Sequence, residues 1–323
     1  MSGRPLVVVT RKLPGPVEDE LIRRFDARLN PDDRPLSGEQ LASSVRSADG
    51  LLASVTDRLT DEVLSSEPRR LRIVANFAVG YDNVDVEAAR RRGIVVTNTP
   101  GVLTDSTADL AMTLLLSVAR RTGEGERHIR TGSWTGWRPT HLLGTEVSGK
   151  TLGIVGLGRI GTAVARRAHL GFGMRILYHS RHAVRPEVAA ELGARRRSLD
   201  ELLAQSDFVS LHCPSTPETR HLLNARTLAL MKPGAFLVNT ARGDVVDEAA
   251  LVRALGSGVP AGAGLDVYER EPEVTAELLA MENVVLLPHL GSATRETRVA
   301  MGMRAVANLD AFFGGDPPPD RVV

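Results

Sequence analysis

Short runs of valine, isoleucine and leucine recur along the chain, with stretches of helical periodicity between them. LVVVT (6–10), GLLASV (50–55), RIVANF (72–77) and IVVTN (94–98) form a first series. EDELIRRF and DVEAARRR are among the helical patterns that separate them. A second series begins at TLGIVG (151–156) and runs through RILYHS, DFVSLH, AFLVNT, AGLDV and VVLLP (284–288). Such alternation predicts an α/β architecture built on parallel sheets. The runs are apolar almost without interruption, as expected of strands covered on both faces. Two series of similar rhythm predict two Rossmann-like or flavodoxin-like parallel-sheet domains rather than one large sheet, and 323 residues suffice for two.

Pro100-Gly101 separates the series. Asp105 to Arg121 then reads as a long helix, with Leu110, Ala111, Leu114, Leu115 and Val118 on one apolar stripe. A loop with Trp134, Trp137 and Pro139 leads into the second series. Beyond His289, Thr294 to Phe313 reads as helical, and Pro317 to Pro319 reads as the end of the ordered chain. A net charge of +1 makes no electrostatic case for nucleic acid or an anionic membrane as partner. No apolar run approaches the roughly 18 residues that span a bilayer. The start, Met-Ser-Gly-Arg-Pro, shows no secretory h-region, so a cytoplasmic protein is expected. The single cysteine, Cys213, rules out an internal disulfide and a Cys-rich zinc site. It reads as a small buried residue at a strand end, and no metal site is expected.

Gly156-Leu157-Gly158-Arg159-Ile160-Gly161 is a G-x-G-x-x-G that follows an expected strand and opens an expected helix. In that setting the pattern has a mechanism. The first glycine allows the turn, the second lets backbone approach a pyrophosphate, and the third lets helix and strand pack closely. The helix N-terminus offers unpaired N–H groups to the phosphates. In NAD-binding units the next strand ends in an acid that holds the adenosine ribose. Here no Asp or Glu lies between Glu146 and Glu187, and the strand ends in Ser180, Arg181 and His182. A hydroxyl and a guanidinium bind phosphate, and Arg185 adds to the positive field. NADP(H) is therefore the expected cofactor, with NAD(H) also possible.

Three further residues lie just beyond expected strands: Arg242 in VNTARGDVVDE, Glu271 in GLDVYEREPE and His289 in LLPHLGSAT. Ligands of open α/β sheets gather at these carboxyl ends. The residue types suit reduction of a 2-oxo acid. Arg242 can hold carboxylate and carbonyl oxygens through its planar fork. His289 can protonate the alkoxide left by hydride addition. Glu271 beside it would orient the ring and favour its protonated form. Each residue alone has an ordinary structural reading. Together, downstream of a nucleotide loop, they read as reacting groups.

VGYDNVDVEAARRRGIVVTNTPG, STADLAM, GLGRIG, NTARGDVVDE, GLDVYEREP and LPHLGSAT together resemble the D-isomer-specific 2-hydroxyacid dehydrogenase family along nearly the whole chain. Within it the chain is most similar to the glyoxylate and hydroxypyruvate reductases, through VVVTRKLP, GLGRIG with the Ser-Arg strand end, and GSWTGWRP. The resemblance implies a substrate-binding domain (1–100 plus 290–323) into which an NAD(P)-binding domain (101–289) is inserted. It implies that the Val79-Gly80 backbone binds the substrate carboxylate. It places Thr240, Ala241 and Asp266 at the cofactor, and it implies a homodimer contacted through the apolar helix and the tryptophan loop. His141 stands where that branch often carries a third aromatic. Two alternatives stay open: a dehydrogenase of another D-2-hydroxy acid, of sugar-acid or phosphoglycerate type, and a dinucleotide-sensing corepressor-like protein.

Overall fold

Each of the ten apolar runs becomes a strand, and every strand pairs in parallel with its neighbours. The structure is a computed structural model and describes residues 3–323. The chain forms two units, one of residues up to Leu103 with Ala293–Val323, the other Thr104–Ser292. Among the described residues no helix is long and apolar enough to cross a membrane.

The first unit holds β1 (Leu6–Val9), β2 (Asp26–Arg28), β3 (Gly50–Ala53), β4 (Ile73–Asn76) and β5 (Val95–Thr97). Their order is β2-β1-β3-β4-β5, a flavodoxin-like arrangement. The second holds β6 (Thr151–Val155), β7 (Arg175–His179), β8 (Arg195–Arg196), β9 (Phe208–Leu211), β10 (Phe236–Asn239), β11 (Gly262–Leu265) and β12 (Val284–Leu286). Their order is β12-β11-β10-β9-β6-β7-β8. Strand order reverses between β6 and β9, and crevices at such switch points are where this architecture takes its ligands.

Two strands escape the sequence pattern. β2 (Asp-Ala-Arg) and β8 (Arg-Arg) are edge strands, largely exposed. Charge on an edge discourages pairing with a second chain, and it also removes the apolar signal of a strand. The central strands β3, β4, β6, β9, β10 and β11 are buried at every residue.

In the second unit the apolar helix spans Thr104–Ala119 and lies on β10, β11 and the helix Arg159–Arg166. Ala111, Leu114, Leu115 and Val118 are buried there, and Leu110 only partly. Its outer face carries Asp105 and Asp109, which pair with Arg167 at 3.0 and 2.7 Å.

In the first unit the helix Arg295–Gly314 packs on β4 and on the helix Gly15–Arg24. Pro317–Pro319 does not end the ordered chain as expected. The residues after it return to the first sheet, where the Val322 N–H donates to Val96 O at 2.7 Å. The anchor is Asp320. Its buried carboxylate takes two hydrogen bonds from Arg304, at 2.8 and 2.7 Å, and one from Asn308 at 3.1 Å. A charged residue after three prolines looks like a solvated tail until the partners on the preceding helix are known.

Gly302 sets the approach of the two helices, since a Cβ there would lie 2.4 and 2.6 Å from the methyls of Val17. Valine cannot swing away, so Gly302→Ala overpacks the contact. The expected cost is about 1–3 kcal/mol, read as a lower urea midpoint. An unchanged midpoint would show that the helices separate freely.

Candidate active site

The end of β6 meets the end of β9 through Gly156. Its φ is +95°, and a Cβ there would sit 2.6 Å from the Cys213 amide nitrogen and 2.7 Å from the His212 carbonyl carbon. Both backbone conformation and space exclude a side chain. Gly161 faces the same constraint from the helix, because its Cβ would strike Gly156 O at 2.3 Å. At Gly158 an added Cβ would meet nothing within 4 Å. Gly158 is the N-cap of the helix Arg159–Arg166 and offers no side chain to its first amides. Leu157 completes the loop, and Arg159 and Ile160 open the helix. Two glycines are therefore needed for packing, and the third leaves open backbone next to free helix-end donors. That cradle fits a pyrophosphate. The Thr240 hydroxyl, buried and without a hydrogen-bond partner among the described residues, is a further donor in this unit for a bound ligand.

The candidate reacting groups stand at neighbouring strand ends. β10 and β11 pair with Asn239 opposite Leu265. Asn239 shapes the turn that follows it: its Oδ1 accepts from the Ala241 N–H at 3.0 Å and its Nδ2 donates to Arg242 O at 2.8 Å. Arg242 Nη1 donates to Ala241 O at 2.9 Å. Across the register the Asp266 N–H donates to Asn239 O at 3.0 Å.

Asp266 is 1% exposed. Its Oδ1 accepts from the Leu290 N–H at 2.6 Å and its Oδ2 from the Gly291 N–H at 2.8 Å, while its own carbonyl accepts from the His289 N–H at 2.9 Å. Burial pushes its carboxyl above the ordinary carboxylate range, and the amides and His289 offset only part of that. His289 has a left-handed backbone, φ +55°, between these contacts. An unbranched residue tolerates that region only when its surroundings impose it, and the Asp266 grip does so.

His289 Nδ1 lies 2.8 Å from Glu271 Oε2, and the Tyr268 N–H donates to the other oxygen at 3.1 Å. Burial works to raise the Glu271 carboxyl. The bond to His289, its charge, the Tyr268 amide and Arg242 outweigh this and hold the group below its ordinary value. An ionised Glu271 on Nδ1 leaves Nε2 as the ring nitrogen for a further partner. Arg242, Glu271, His289, Thr240, Ala241 and Asp266 thus share one end of the second unit's sheet.

At the end of β7, Ser180 Oγ accepts from the Leu157 N–H at 2.8 Å, so this hydroxyl ties the strand end to the glycine loop. Arg181 and His182 are exposed, as is Arg185. Val79 and Gly80 belong to the first unit, in the loop after β4, where their carbonyls accept from Asn98 Nδ2 and Asn76 Nδ2, each at 2.8 Å. The His141 ring stands 4.9 Å from that of His128. Cys213 is largely buried just past β9, and burial pushes its thiol up to about 11.

Three residues here carry no signal that sequence reasoning used. Asn239 looks like any polar residue at a strand end. Arg196 sits in a basic run that resembles a solvated turn, yet its Nη2 donates to the carbonyls of Ser180 and Arg181 at 2.8 and 2.9 Å. His212 is held against the Gly156 turn with Nε2 2.8 Å from Ser210 Oγ, and burial pulls its imidazole down to about 4.

A family model described as "D-isomer specific 2-hydroxyacid dehydrogenase, NAD binding domain" matches residues 112–291. The glyoxylate reductase of Thermococcus kodakarensis is 53% identical over 323 residues, covering 99% of this chain and 96% of that protein. Among solved structures, the NADPH-dependent glyoxylate/hydroxypyruvate reductase of Sinorhizobium meliloti, in complex with NADP and malonate, has a TM-score of 0.88 and 39% identity. That match covers 99% of this chain and 97% of the other. The D-lactate dehydrogenase of Aquifex aeolicus, complexed with NAD and lactic acid, has a TM-score of 0.85 and 31% identity over 98% of this chain and 99% of its own. Fold, glycine cradle and likenesses agree on an oxidoreductase that uses a nicotinamide dinucleotide. The chain belongs to the D-isomer-specific 2-hydroxyacid dehydrogenase family.

In Asp266→Asn one of the two acceptors becomes an amide that faces an N–H. Losing a charge-assisted bond of about 1.5–3 kcal/mol frees the local backbone. Hydrogen exchange at Leu290 and Gly291 is expected to speed up by about ten- to a hundredfold. Unchanged protection would remove Asp266 as the clamp.

Proposed function

We propose that the protein reduces small 2-oxo acids, glyoxylate to glycolate and hydroxypyruvate to D-glycerate, with NADPH preferred over NADH. The observation that carries this reading is the Glu271–His289 pair at 2.8 Å, on the same unit as a glycine loop suited to a dinucleotide. The substrate class is supported by the glyoxylate reductases that the chain resembles at about half its positions or more.

Gly156 to Gly161, Thr240 and Ala241 would hold a nicotinamide cofactor, which would supply the hydride when bound. Arg242 holds the substrate oxygens through two donors of its planar fork. Glu271 fixes the imidazole through Nδ1, so Nε2 of His289 delivers the proton to the alkoxide that forms at C2. Asp266 keeps His289 in its left-handed position, so its part near the cofactor is to hold the proton donor. Arg181 takes the adenosine 2′-phosphate, and Ser180 supports it from the loop side.

The enzyme is further proposed to be a cytoplasmic homodimer. Trp134 and Trp137 are 51% and 82% exposed, and Ile129 and Leu143 nearby are exposed as well. Apolar groups gathered in this way fit a protein interface better than water.

Turnover with NADPH against a panel of 2-oxo acids tests the reading, and inactivity toward glyoxylate and hydroxypyruvate alike would overturn the substrate. His289→Ala is expected to lower kcat by about two to four decades with NADPH affinity nearly intact. Wild-type turnover in that variant would remove the proton donor. Arg181→Asp is expected to weaken NADPH by about ten- to a hundredfold, the scale of lost charge-assisted bonds, and to improve NADH. If neither dissociation constant moves, Arg181 is a solvated turn residue.

A further inference from the structure

The ladder between β7 and β8 stops early. Its last register pair is Tyr178 opposite Arg196, so Ser180 and Arg181 extend past the edge strand. Beyond it the carbonyls of Ser180 and Arg181 take a side-chain donor from β8 rather than ladder amides. A single group takes both: Arg196 Nη2, at 2.8 Å from Ser180 O and 2.9 Å from Arg181 O. The same strand end is tied on its other side by the Leu157 N–H to Ser180 Oγ, and His179 Nδ1 lies 3.2 Å from Arg197 O. The backbone of this turn is therefore held from both flanks, while the Arg181 side chain is exposed.

Beside the turn is an open cavity of about 390 Å³ lined by His179, Arg196, Arg197, Ser198 and Glu201. Its one carboxylate is kept ionised by the Ser198 N–H, which donates to Glu201 Oε2 at 2.9 Å, and by the Ser198 hydroxyl at 2.7 Å. Two guanidinium groups against that single carboxylate leave the lining net positive. Such a surrounding favours an anion at this strand end.

We infer that Arg196 is a specificity-determining positioning residue, whose bridge across the Ser180 and Arg181 carbonyls sets the turn that presents Arg181 to the adenosine 2′-phosphate. The inference rests on the NADP preference proposed above and names how that preference is built. A planar guanidinium fixed on two backbone acceptors loses little freedom when ligand arrives. Without it, the carbonyls turn to water, and Arg181 must be ordered by the phosphate itself.

The test uses the full chain and two probes that differ only in the phosphate, 2′,5′-ADP and 5′-AMP, titrated calorimetrically. Wild type is expected to favour 2′,5′-ADP. Arg196→Met is expected to weaken 2′,5′-ADP by about tenfold, the scale of one charge-assisted contact, and to leave 5′-AMP within about twofold. In an Arg181→Met background the same change should alter 2′,5′-ADP by less than about twofold, because a residue that acts through another is non-additive with it. An Arg196→Met protein with the wild-type ratio of the two affinities overturns the inference. So does an equal loss of both probes, which would mean a general disturbance of the fold, or a full tenfold loss that persists without Arg181. A wild type that binds the probes equally instead fails the NADP reading, and that failure is visible before any substitution is made.

Discussion

The carboxylate of Asp266 holds two successive amides at once, and the arrangement of the site depends on that grip. Leu290 and Gly291 are bound by its two oxygens, and His289 by its carbonyl. A three-residue turn fixed at consecutive points has little freedom, so His289 keeps a backbone conformation it would not choose. Asp266 also reaches sideways, its own N–H donating to the carbonyl of Asn239, whose side chain shapes the Arg242 turn. Cation and imidazole are thereby referred to one pair of hydrogen-bonded strands. A carboxylate with this duty must be buried, and burial is what drives its pKa upward. The amides it holds make that desolvation tolerable.

The dinucleotide end is built on a different constraint, steric rather than electrostatic. Gly156 and Gly161 admit no Cβ because backbone stands where it would go. This brings β6, β9 and the helix that follows the loop closer than side chains allow. Gly158 faces open space and is free to serve a ligand. One motif therefore divides its glycines between packing and approach. Ser180 then links the loop to the neighbouring strand, so the glycine loop and the end of β7 are joined by a single hydrogen bond.

Much of this was legible in the sequence. Wherever a strand is mostly apolar its composition announces it, and ten of the twelve strands are of that kind. β2 and β8 were missed because their residues are as polar as a loop's and only their backbone partners make them strands, whereas the apolar edge strands β5 and β12 were found. Arg242, Glu271 and His289 stood out because unusual residue types followed apolar runs, and the structure brings them to one end of one sheet. What remained hidden is interaction at a distance in sequence. Arg196 bonds to the backbone 15 and 16 positions away, Asp320 is buried by a helix that precedes it, and Asp266 serves amides 24 and 25 positions on. Periodicity reports which face a residue occupies and is silent about such partners.

The return of the C-terminus to the first sheet has a consequence for biosynthesis. β5 receives the Val322 N–H, and β4 is covered by the helix Arg295–Gly314. The early strands β1 to β5 therefore emerge from a ribosome long before the segment that finishes their unit. The second unit contains all of its strands once Leu286 has been made. Synthesis, which ordinarily lets the first-made domain fold first, here delivers the middle of the chain complete while its beginning still waits for its end. The β5 edge and the uncovered face of β4 are thus the surfaces a nascent chain has to keep from other partners for longest.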